Sequence, residues 1–278
     1  MQQVITAKSK TFLIGEYCIL FGGSAIVLTT SPEFELIVKE NEEKIVGINE
    51  NSPAFSFYVK HKNVFKNLSI EFIDPHKGSG GLGASSAQFT MLYKLFLSLS
   101  RGNLEINSFL AEYKSLAGRA SGADCVSQIY NHHVYFNSQN NAVENIEWNF
   151  KDIDFAIFKT GLKTSTHLHL SQLSNVIDVS ELSEYVENAR LAFINKDSNC
   201  LVSSVNSFFS SLKKLGFTLD QINKIVENFL KTEGVLAAKG CGAMCSDTIL
   251  IIFNPEHKAN LLRCVDAMHI TNSKLIFS

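Results

Sequence analysis

The sequence predicts an α+β fold, in which strands and helices lie in separate parts of the chain. The first seventy residues are rich in short β-type runs that end at turn residues, whereas 180–230 is largely helical. Strand-like runs return at 155–158 and 248–253. Without a strict alternation of strand and helix, these runs favour α+β layers over a doubly wound parallel sheet.

The individual elements follow from apolar spacing and from turn and cap residues. Predicted strands cover 11–14, 18–21, 25–28, 35–38, 55–59, 68–73, 133–136, 143–148, 155–158, 248–253 and 274–277, with a polar hairpin or loop over 41–52. Predicted helices cover 88–100, 106–117, 125–130, 182–193, 201–215, 221–230 and 257–268.

Composition narrows the function classes. The chain has 278 residues, 45% of them hydrophobic, and a formal net charge of -2, which is typical of a soluble globular protein with a large core. No basic footprint points to nucleic acid or a membrane surface. The six cysteines lack a pairing or zinc pattern and are interpreted as reduced core thiols. With neither a signal peptide nor a long apolar segment, we expect a cytoplasmic protein.

A glycine-rich stretch at 78–87 follows a predicted strand and opens a predicted helix. It holds four glycines and three serines, so backbone N–H groups can approach an anion near a helix N-terminus. The alternative is an ordinary flexible loop. The stretch lacks the lysine of a Walker P-loop, and no β-α-β unit surrounds it as a dinucleotide fingerprint requires. It therefore predicts a phosphate loop of another kind.

The segment Gly81-Leu82-Gly83-Ala84-Ser85-Ser86-Ala87 resembles the phosphate loop of the GHMP kinases, usually Gly-Leu-Gly-Ser-Ser-Ala. Because Ala84 replaces the first serine, the hydroxyl role passes to Ser85 and Ser86. The resemblance implies ATP as cosubstrate. The residues that it places at the nucleotide are Gly80, Gly81, Gly83, Ala84, Ser85 and Ser86.

Two further stretches resemble motifs of the same family. In the first, 7–17, Lys10 and Glu16 match, while Lys8-Ser9 stands where Pro-Gly is usual. In the third, 238–247, Lys239, Gly242 and Ala243 match. Met244, Cys245 and Ser246 stand where glycines are usual. The resemblance implies a GHMP-kinase-like two-layer fold, with a half like ribosomal protein S5 over 1–150 and a ferredoxin-like half over 151–278.

Asp124, in Ser121-Gly122-Ala123-Asp124, is the candidate catalytic carboxylate, with Lys10 as its cationic neighbour. Phosphoryl transfer to an alcohol uses a carboxylate near the hydroxyl and a cation near the phosphate. The alternative roles are a helix cap for Asp124 and a solvated strand end for Lys10. The resemblance to the mevalonate kinase branch favours catalysis, and it makes Ser85 and Glu112 the candidate Mg²⁺ ligands.

The acceptor end is predicted from the stretch 160–166, which resembles the Thr-Gly-x-Lys-x-Ser-Thr segment of mevalonate-type kinases. The candidate substrate-binding residues are Glu16, Lys163, Ser165 and Thr166. An ordinary polar loop is the alternative for 160–166. The histidines of 132–133 and 167–169 lack a third ligand and are interpreted as structural.

The predicted function is an ATP- and Mg²⁺-dependent kinase for a small alcohol of the mevalonate type, with mevalonate slightly favoured over phosphomevalonate. A GHMP-fold protein that senses a nucleotide or metabolite without turnover is the alternative from another class. A homodimer is compatible with either, and the sequence does not decide the oligomeric state.

Overall fold

The computed structural model describes residues 2–40, 42–78, 80–118, 120–161, 178–268 and 275–277. Its first sheet is organised around an antiparallel pair of long strands, β1 and β2. One edge of β2 pairs with β1, and the other pairs with β4 at one end and β5 at the other. The six strands are β1 (Gln2–Ile14), β2 (Ser24–Glu40), β3 (Lys44–Val46), β4 (Leu68–Ile73), β5 (His133–Asn137) and β6 (Ala142–Ile146).

The second sheet has four antiparallel strands in the order β10-β7-β9-β8. Helices connect the first described strand to the second and the third to the fourth, which is the ferredoxin-like arrangement. The strands are β7 (Asp154–Lys159), β8 (Val235–Cys241), β9 (Thr248–Phe253) and β10 (Leu275–Phe277).

Four helices accompany each sheet in the described ranges. Those of the first part are α1 (Pro53–Lys60), α2 (Ala84–Ser100), α3 (Ile106–Ala117) and α4 (Ala123–Tyr130). Those of the second part are α5 (Ser180–Asn195), α6 (Ser198–Lys214), α7 (Asp220–Leu230) and α8 (Lys258–Ala267). None of the helices in the described ranges combines the length and apolarity that a membrane crossing needs.

The buried side chains form two apolar cores. One lies between the first sheet and helices α1 to α4. The other lies between the second sheet and its helices, and it also takes in Leu13 and Ile14 of β1 and Ile26 of β2. β1 and β2 therefore contribute buried side chains to both cores, and they connect the packing of the two halves of the chain. The domain division at residue 150 stays a prediction.

The predicted strand at 55–59 was wrong, since this segment is helix α1. The Ser52 side chain accepts a hydrogen bond from the Phe55 backbone N–H at 3.1 Å, and Pro53 occupies the first helical position. Both are helix-start signals, which outweigh the aromatic content that favours a strand. Phe57 is fully buried, with its ring edge-on to that of Phe89 at 5.3 Å.

Two smaller differences concern the N-terminal strands. The short runs predicted at 25–28 and 35–38 are one continuous strand, β2, because β1 pairs with it along most of its length. The run at 18–21 is a 3₁₀ helix, Cys18–Phe21, that ends at Gly22 in a left-handed conformation.

Arg190 of α5 connects the two parts of the molecule. Its guanidinium donates to both Glu144 carboxylate oxygens of β6, at 2.8 and 2.6 Å, and lies over the Tyr135 ring of β5. The Tyr135 hydroxyl in turn donates to Glu187 of α5 at 2.6 Å. A two-point Arg–carboxylate contact fixes orientation as well as distance.

We expect Arg190→Met to lower the free energy of unfolding by about 1 kcal/mol, because it removes two charge-assisted bonds that are partly exposed to solvent. The matched control is Lys213→Met, which removes a single exposed ion pair with Glu227 and should change stability by less than about 0.5 kcal/mol. Urea unfolding measures both. Equal effects would show that the Arg190 contact adds nothing beyond a surface pair.

Candidate active site

The glycine-rich stretch forms a tight loop between β4 and α2. Its entry is fixed by Asp74, whose carboxylate accepts from the backbone N–H groups of His76 and Gly78 at 2.8 and 2.7 Å. At the other end, Gly83 begins α2 with φ 89°, a left-handed conformation. A Cβ at Gly83 would lie 2.8 Å from the Lys10 side chain, so this position accepts only glycine.

The first turn of α2 presents backbone N–H groups that have no partner within the helix. Gly83, Ala84 and Ser85 are at least partly accessible, and the Ser85 side chain is exposed. Ser86 is buried, and its hydroxyl donates to the Gly83 carbonyl at 3.0 Å. Of the two predicted hydroxyls, the Ser85 one thus faces solvent, at a helix end that attracts anions.

Lys10 and Asp124 meet beside this loop. The Lys10 ammonium lies 2.9 Å from Asp124 Oδ2, with the side chains 8% and 33% exposed. The Lys10 backbone N–H donates to the Leu82 carbonyl at 3.0 Å, which ties β1 to the loop. Asp124 lies in the first turn of α4, so the N-termini of two helices, α2 and α4, border the pair.

The second oxygen of Asp124, Oδ1, is buried and has no hydrogen-bond partner. Leaving a buried acceptor unsatisfied is costly, by about 1–3 kcal/mol and more for a charged group. A substrate hydroxyl could supply the missing donor, because it would donate to Oδ1 while Lys10 holds Oδ2. This arrangement suits a carboxylate that orients or deprotonates an alcohol.

Gln128 is a residue of this site that sequence reasoning missed. Its side-chain amide donates to the carbonyls of Gly83 and Lys8, both at 3.0 Å, and so joins α4 to the loop and to β1. The signal was its spacing, since residues four apart share one face of a helix and Gln128 lies four residues after Asp124. Polar residues on that face were candidates for the same site.

Glu16 and Lys239 form an ion pair in the protein interior. The Lys239 side chain is fully buried, and the Glu16 side chain is 7% exposed. Burial disfavours the Lys239 charge, but Cys241 and Glu16 favour it more strongly, so the pKa of Lys239 is raised. The pair joins the first and third motifs. Lys239 holds Glu16 Oε1, whereas Oε2 is buried without a hydrogen-bond partner.

The third motif forms the turn between β8 and β9 and packs against the phosphate loop. A Cβ at Gly81 would lie 2.6 Å from the Asp247 Cβ, which shows how closely the two loops approach. Met244 and Cys245, which stand where glycines are usual, have φ values of 51° and 55°. The turn therefore keeps a left-handed backbone without the residue type that adopts it at low cost.

Glu112 does not have the surroundings expected of a metal ligand. Its carboxylate accepts from the Lys60 ammonium at 2.9 Å and lies 3.4 Å from the His61 ring. These contacts tie α3 to the end of α1 and occupy the carboxylate, so they do not support the predicted role. Lys163, Ser165 and Thr166 lie outside the described residues.

Thr160, at the start of the predicted acceptor segment, is described and buried. Its hydroxyl donates to the Ser246 carbonyl at 2.5 Å and contacts the Asp247 carbonyl at 3.0 Å. The segment that begins here is therefore anchored to the third motif at its first residue.

The fold is shared with small-molecule kinases of known structure. The chain aligns with Methanococcus jannaschii mevalonate kinase at 18% identity and a TM-score of 0.75, covering 100% of this chain and 98% of that one. Streptococcus pneumoniae phosphomevalonate kinase aligns at 15% identity and a TM-score of 0.80, covering 99% and 98%. Lactococcus lactis galactokinase, in complex with galactose, aligns at 14% and 0.73, covering 99% and 92%.

No protein-family profile and no curated protein sequence matches the chain. The resemblance is therefore one of structure. The class that it defines is the α+β fold of the GHMP kinases, as the motifs predicted. Within that class, the mevalonate and phosphomevalonate kinases are among the structures that align over nearly the whole chain.

We expect Glu16→Gln to lower the free energy of unfolding by about 3–5 kcal/mol, because it leaves the buried Lys239 charge without its counterion. Glu43→Gln, which removes the exposed partner of Lys62, is the control and should cost less than about 1 kcal/mol. Urea unfolding separates the two. If Glu16→Gln lowered the free energy of unfolding no more than Glu43→Gln does, the Glu16–Lys239 ion pair would not stabilise the fold.

Met244→Gly and Met244→Ala test the backbone of the third motif. Both remove the side chain beyond Cβ, but only glycine relieves the left-handed conformation, which costs about 1–2 kcal/mol for other residues. We expect the glycine variant to be about 1 kcal/mol more stable than the alanine variant by thermal or urea unfolding. If the alanine variant were the more stable of the two, as at positions with an ordinary backbone conformation, Met244 would not be strained.

Proposed function

We propose that this protein is a cytoplasmic, ATP- and Mg²⁺-dependent kinase that phosphorylates a small alcohol of the mevalonate type. The observation that carries the proposal is the Lys10–Asp124 pair, 2.9 Å apart, between the N-termini of α2 and α4. It combines a cation, a carboxylate with one unpartnered oxygen, and an anion-binding helix end. Phosphoryl transfer requires these three parts together.

Each residue has a distinct part in the reaction. The backbone N–H groups at 83–86 bind phosphate oxygens of ATP, and the positive end of α2 attracts their charge. Asp124 Oδ1 accepts the proton of the acceptor hydroxyl as a hydrogen bond, which orients that oxygen toward the γ-phosphate. Lys10 keeps Asp124 in place and neutralises the charge that develops on the transferred group.

The residues of this site fit Mg²⁺, which prefers oxygen ligands and keeps several of its waters. The Ser85 hydroxyl is exposed at the N-terminal end of α2, next to the proposed phosphate-binding backbone. This side chain would hold the ion together with phosphate oxygens. When bound, it would neutralise phosphate charge during transfer.

Mevalonate is the acceptor that we favour, and phosphomevalonate is the second candidate. The structures of enzymes for both align with the chain over 98% or more of their own length. The segment that begins at Thr160 and the unpartnered Glu16 Oε2 are the proposed acceptor contacts. The proposed organisation remains two domains, 1–150 and 151–278, with ATP at the first.

A catalytically silent nucleotide sensor is the alternative, and two observations favour it. Ala84 replaces a hydroxyl in the phosphate loop, and the third-motif turn is strained at Met244 and Cys245. A protein that only binds a nucleotide has no need of the Lys10–Asp124 pair, which favours the kinase.

Incubation with Mg-ATP and a panel of mevalonate, phosphomevalonate, homoserine and galactose tests the proposal, with ADP release as the readout. We expect release that depends on mevalonate or phosphomevalonate. Binding of ATP without acceptor-dependent release for any member of the panel would favour the sensor.

Two substitutions test the roles of the pair. We expect Asp124→Asn to lower kcat by about 10²–10⁴-fold, the contribution typical of a positioned base, and Lys10→Met by about 10²–10³-fold. Glu112→Gln is the control and should leave kcat within about twofold, because Lys60 and His61 already hold this carboxylate. If Asp124→Asn left turnover intact, Asp124 would not act on the acceptor.

A further inference from the structure

A cavity lies where β1, β2 and β5 approach the start of β7. It has a volume of about 410 Å³, within the range of small-molecule sites. Its lining combines polar residues with aromatic ones, and the polar part includes Lys8, Glu33, His133 and the hydroxyl residues at 29–31. Lys8 is one of the two residues that replace the usual Pro-Gly of the first motif, so this polar part is a particular feature of this chain.

The cavity is separate from the Lys10–Asp124 pair. Asn131, which directly follows α4, accepts a hydrogen bond from the Lys8 backbone N–H at 3.1 Å. Lys8 is thus held at the C-terminal end of α4, whereas Asp124 lies at the N-terminal end. At 1.5 Å per residue, the length of helix between them is about 9 Å.

The polar part of the cavity carries two opposite charges that do not neutralise each other by direct contact. Lys8 and Glu33 both line the cavity, yet within the described ranges neither takes part in an ion pair. They lie on adjacent strands, next to the paired residues Ala7 and Phe34. A ligand that carries one charge would find one attractive and one repulsive group, whereas a zwitterion finds a partner for each of its charges.

His133 adds a neutral donor beside Lys8. Burial, Lys8 and His132 lower the pKa of His133 to about 4, so the ring is uncharged at neutral pH. Its Nδ1 accepts from the Thr29 backbone N–H at 2.9 Å, and this bond assigns the ring proton to Nε2. The Nε2–H and the Lys8 ammonium are two donors that suit a carboxylate.

The aromatic surface of the cavity is provided by Trp148, which is partly exposed and packs on the fully buried Phe155 with ring centroids 4.9 Å apart. The Trp148 indole N–H donates to the Ile153 carbonyl at 3.1 Å, which fixes the ring. The ring also packs against Phe150 and Phe193, and the part that stays exposed is available for contact. An apolar side chain of moderate size would bury its surface here.

From this arrangement we propose that the cavity binds a zwitterionic ligand of the α-amino-acid class with an apolar side chain. Lys8 and the His133 Nε2–H bind its carboxylate, Glu33 binds its ammonium, and Trp148 contacts the side chain. The proposal does not depend on kinase activity, because it concerns a different cavity and a different ligand.

Trp148 is the only tryptophan of the chain and therefore reports directly on this cavity. The probe is L-leucine, titrated against the full chain without ATP, with Trp148 fluorescence as the readout. The comparison ligands are 4-methylpentanoate, which lacks the ammonium, and isopentylamine, which lacks the carboxylate. We expect saturable binding of L-leucine, and binding at least tenfold weaker for each comparison ligand.

Substitutions in the cavity supply the second readout. Lys8→Met and Glu33→Gln should each weaken L-leucine binding by tenfold or more, while Lys39→Met, at an exposed lysine of β2, should not change it. Circular dichroism verifies that each variant is folded. If a variant does not fold, the comparison of the three ligands on the unmodified chain still tests the proposal. Absence of a saturable signal with L-leucine would overturn the proposal, and so would equal binding of 4-methylpentanoate, which would indicate a simple anion site.

Discussion

The buried ion pair between Glu16 and Lys239 is the contact on which the rest of the site depends. The two residues are 223 positions apart, Glu16 just after β1 and Lys239 inside β8. A fully buried lysine is tolerated only with a counterion, so β1 and β8 must adopt one relative position for the chain to be stable. That position brings the third-motif turn against the phosphate loop, where Gly81 and Asp247 nearly touch.

The other parts of the site follow from the placement of β1. Lys10 lies six residues before Glu16 on the same segment, and its backbone holds the loop through Leu82. Gln128 then connects the loop carbonyl of Gly83 to α4, which presents Asp124 to Lys10. One strand, one loop and one short helix are thus joined by backbone and side-chain hydrogen bonds into a single unit. Such rigidity is what positions reacting groups within reach of each other.

The sequence predicted the fold class because glycines, caps and apolar spacing are local signals. β9 was predicted with the bounds that the structure has, since a run of six apolar or β-branched residues between turns has few alternatives. α1 was mistaken for a strand because its aromatic side chains have β propensity, although Ser52 and Pro53 are helix-start signals. The packing of its Phe57 against Phe89 was not predictable from local sequence. The contacts of Glu112 and the Glu16–Lys239 pair were not predictable either, because they join residues far apart in sequence and depend on the tertiary arrangement.

The role that we propose for the Lys10–Asp124 pair is transfer of a phosphoryl group from ATP to an acceptor. The most direct measurement is ³¹P NMR of the protein with Mg-ATP and either mevalonate or phosphomevalonate. The γ-phosphate signal of ATP should disappear as a new phosphorylated acceptor signal grows at the same rate. An unchanged ATP spectrum with both acceptors, or the appearance of inorganic phosphate alone, would contradict it.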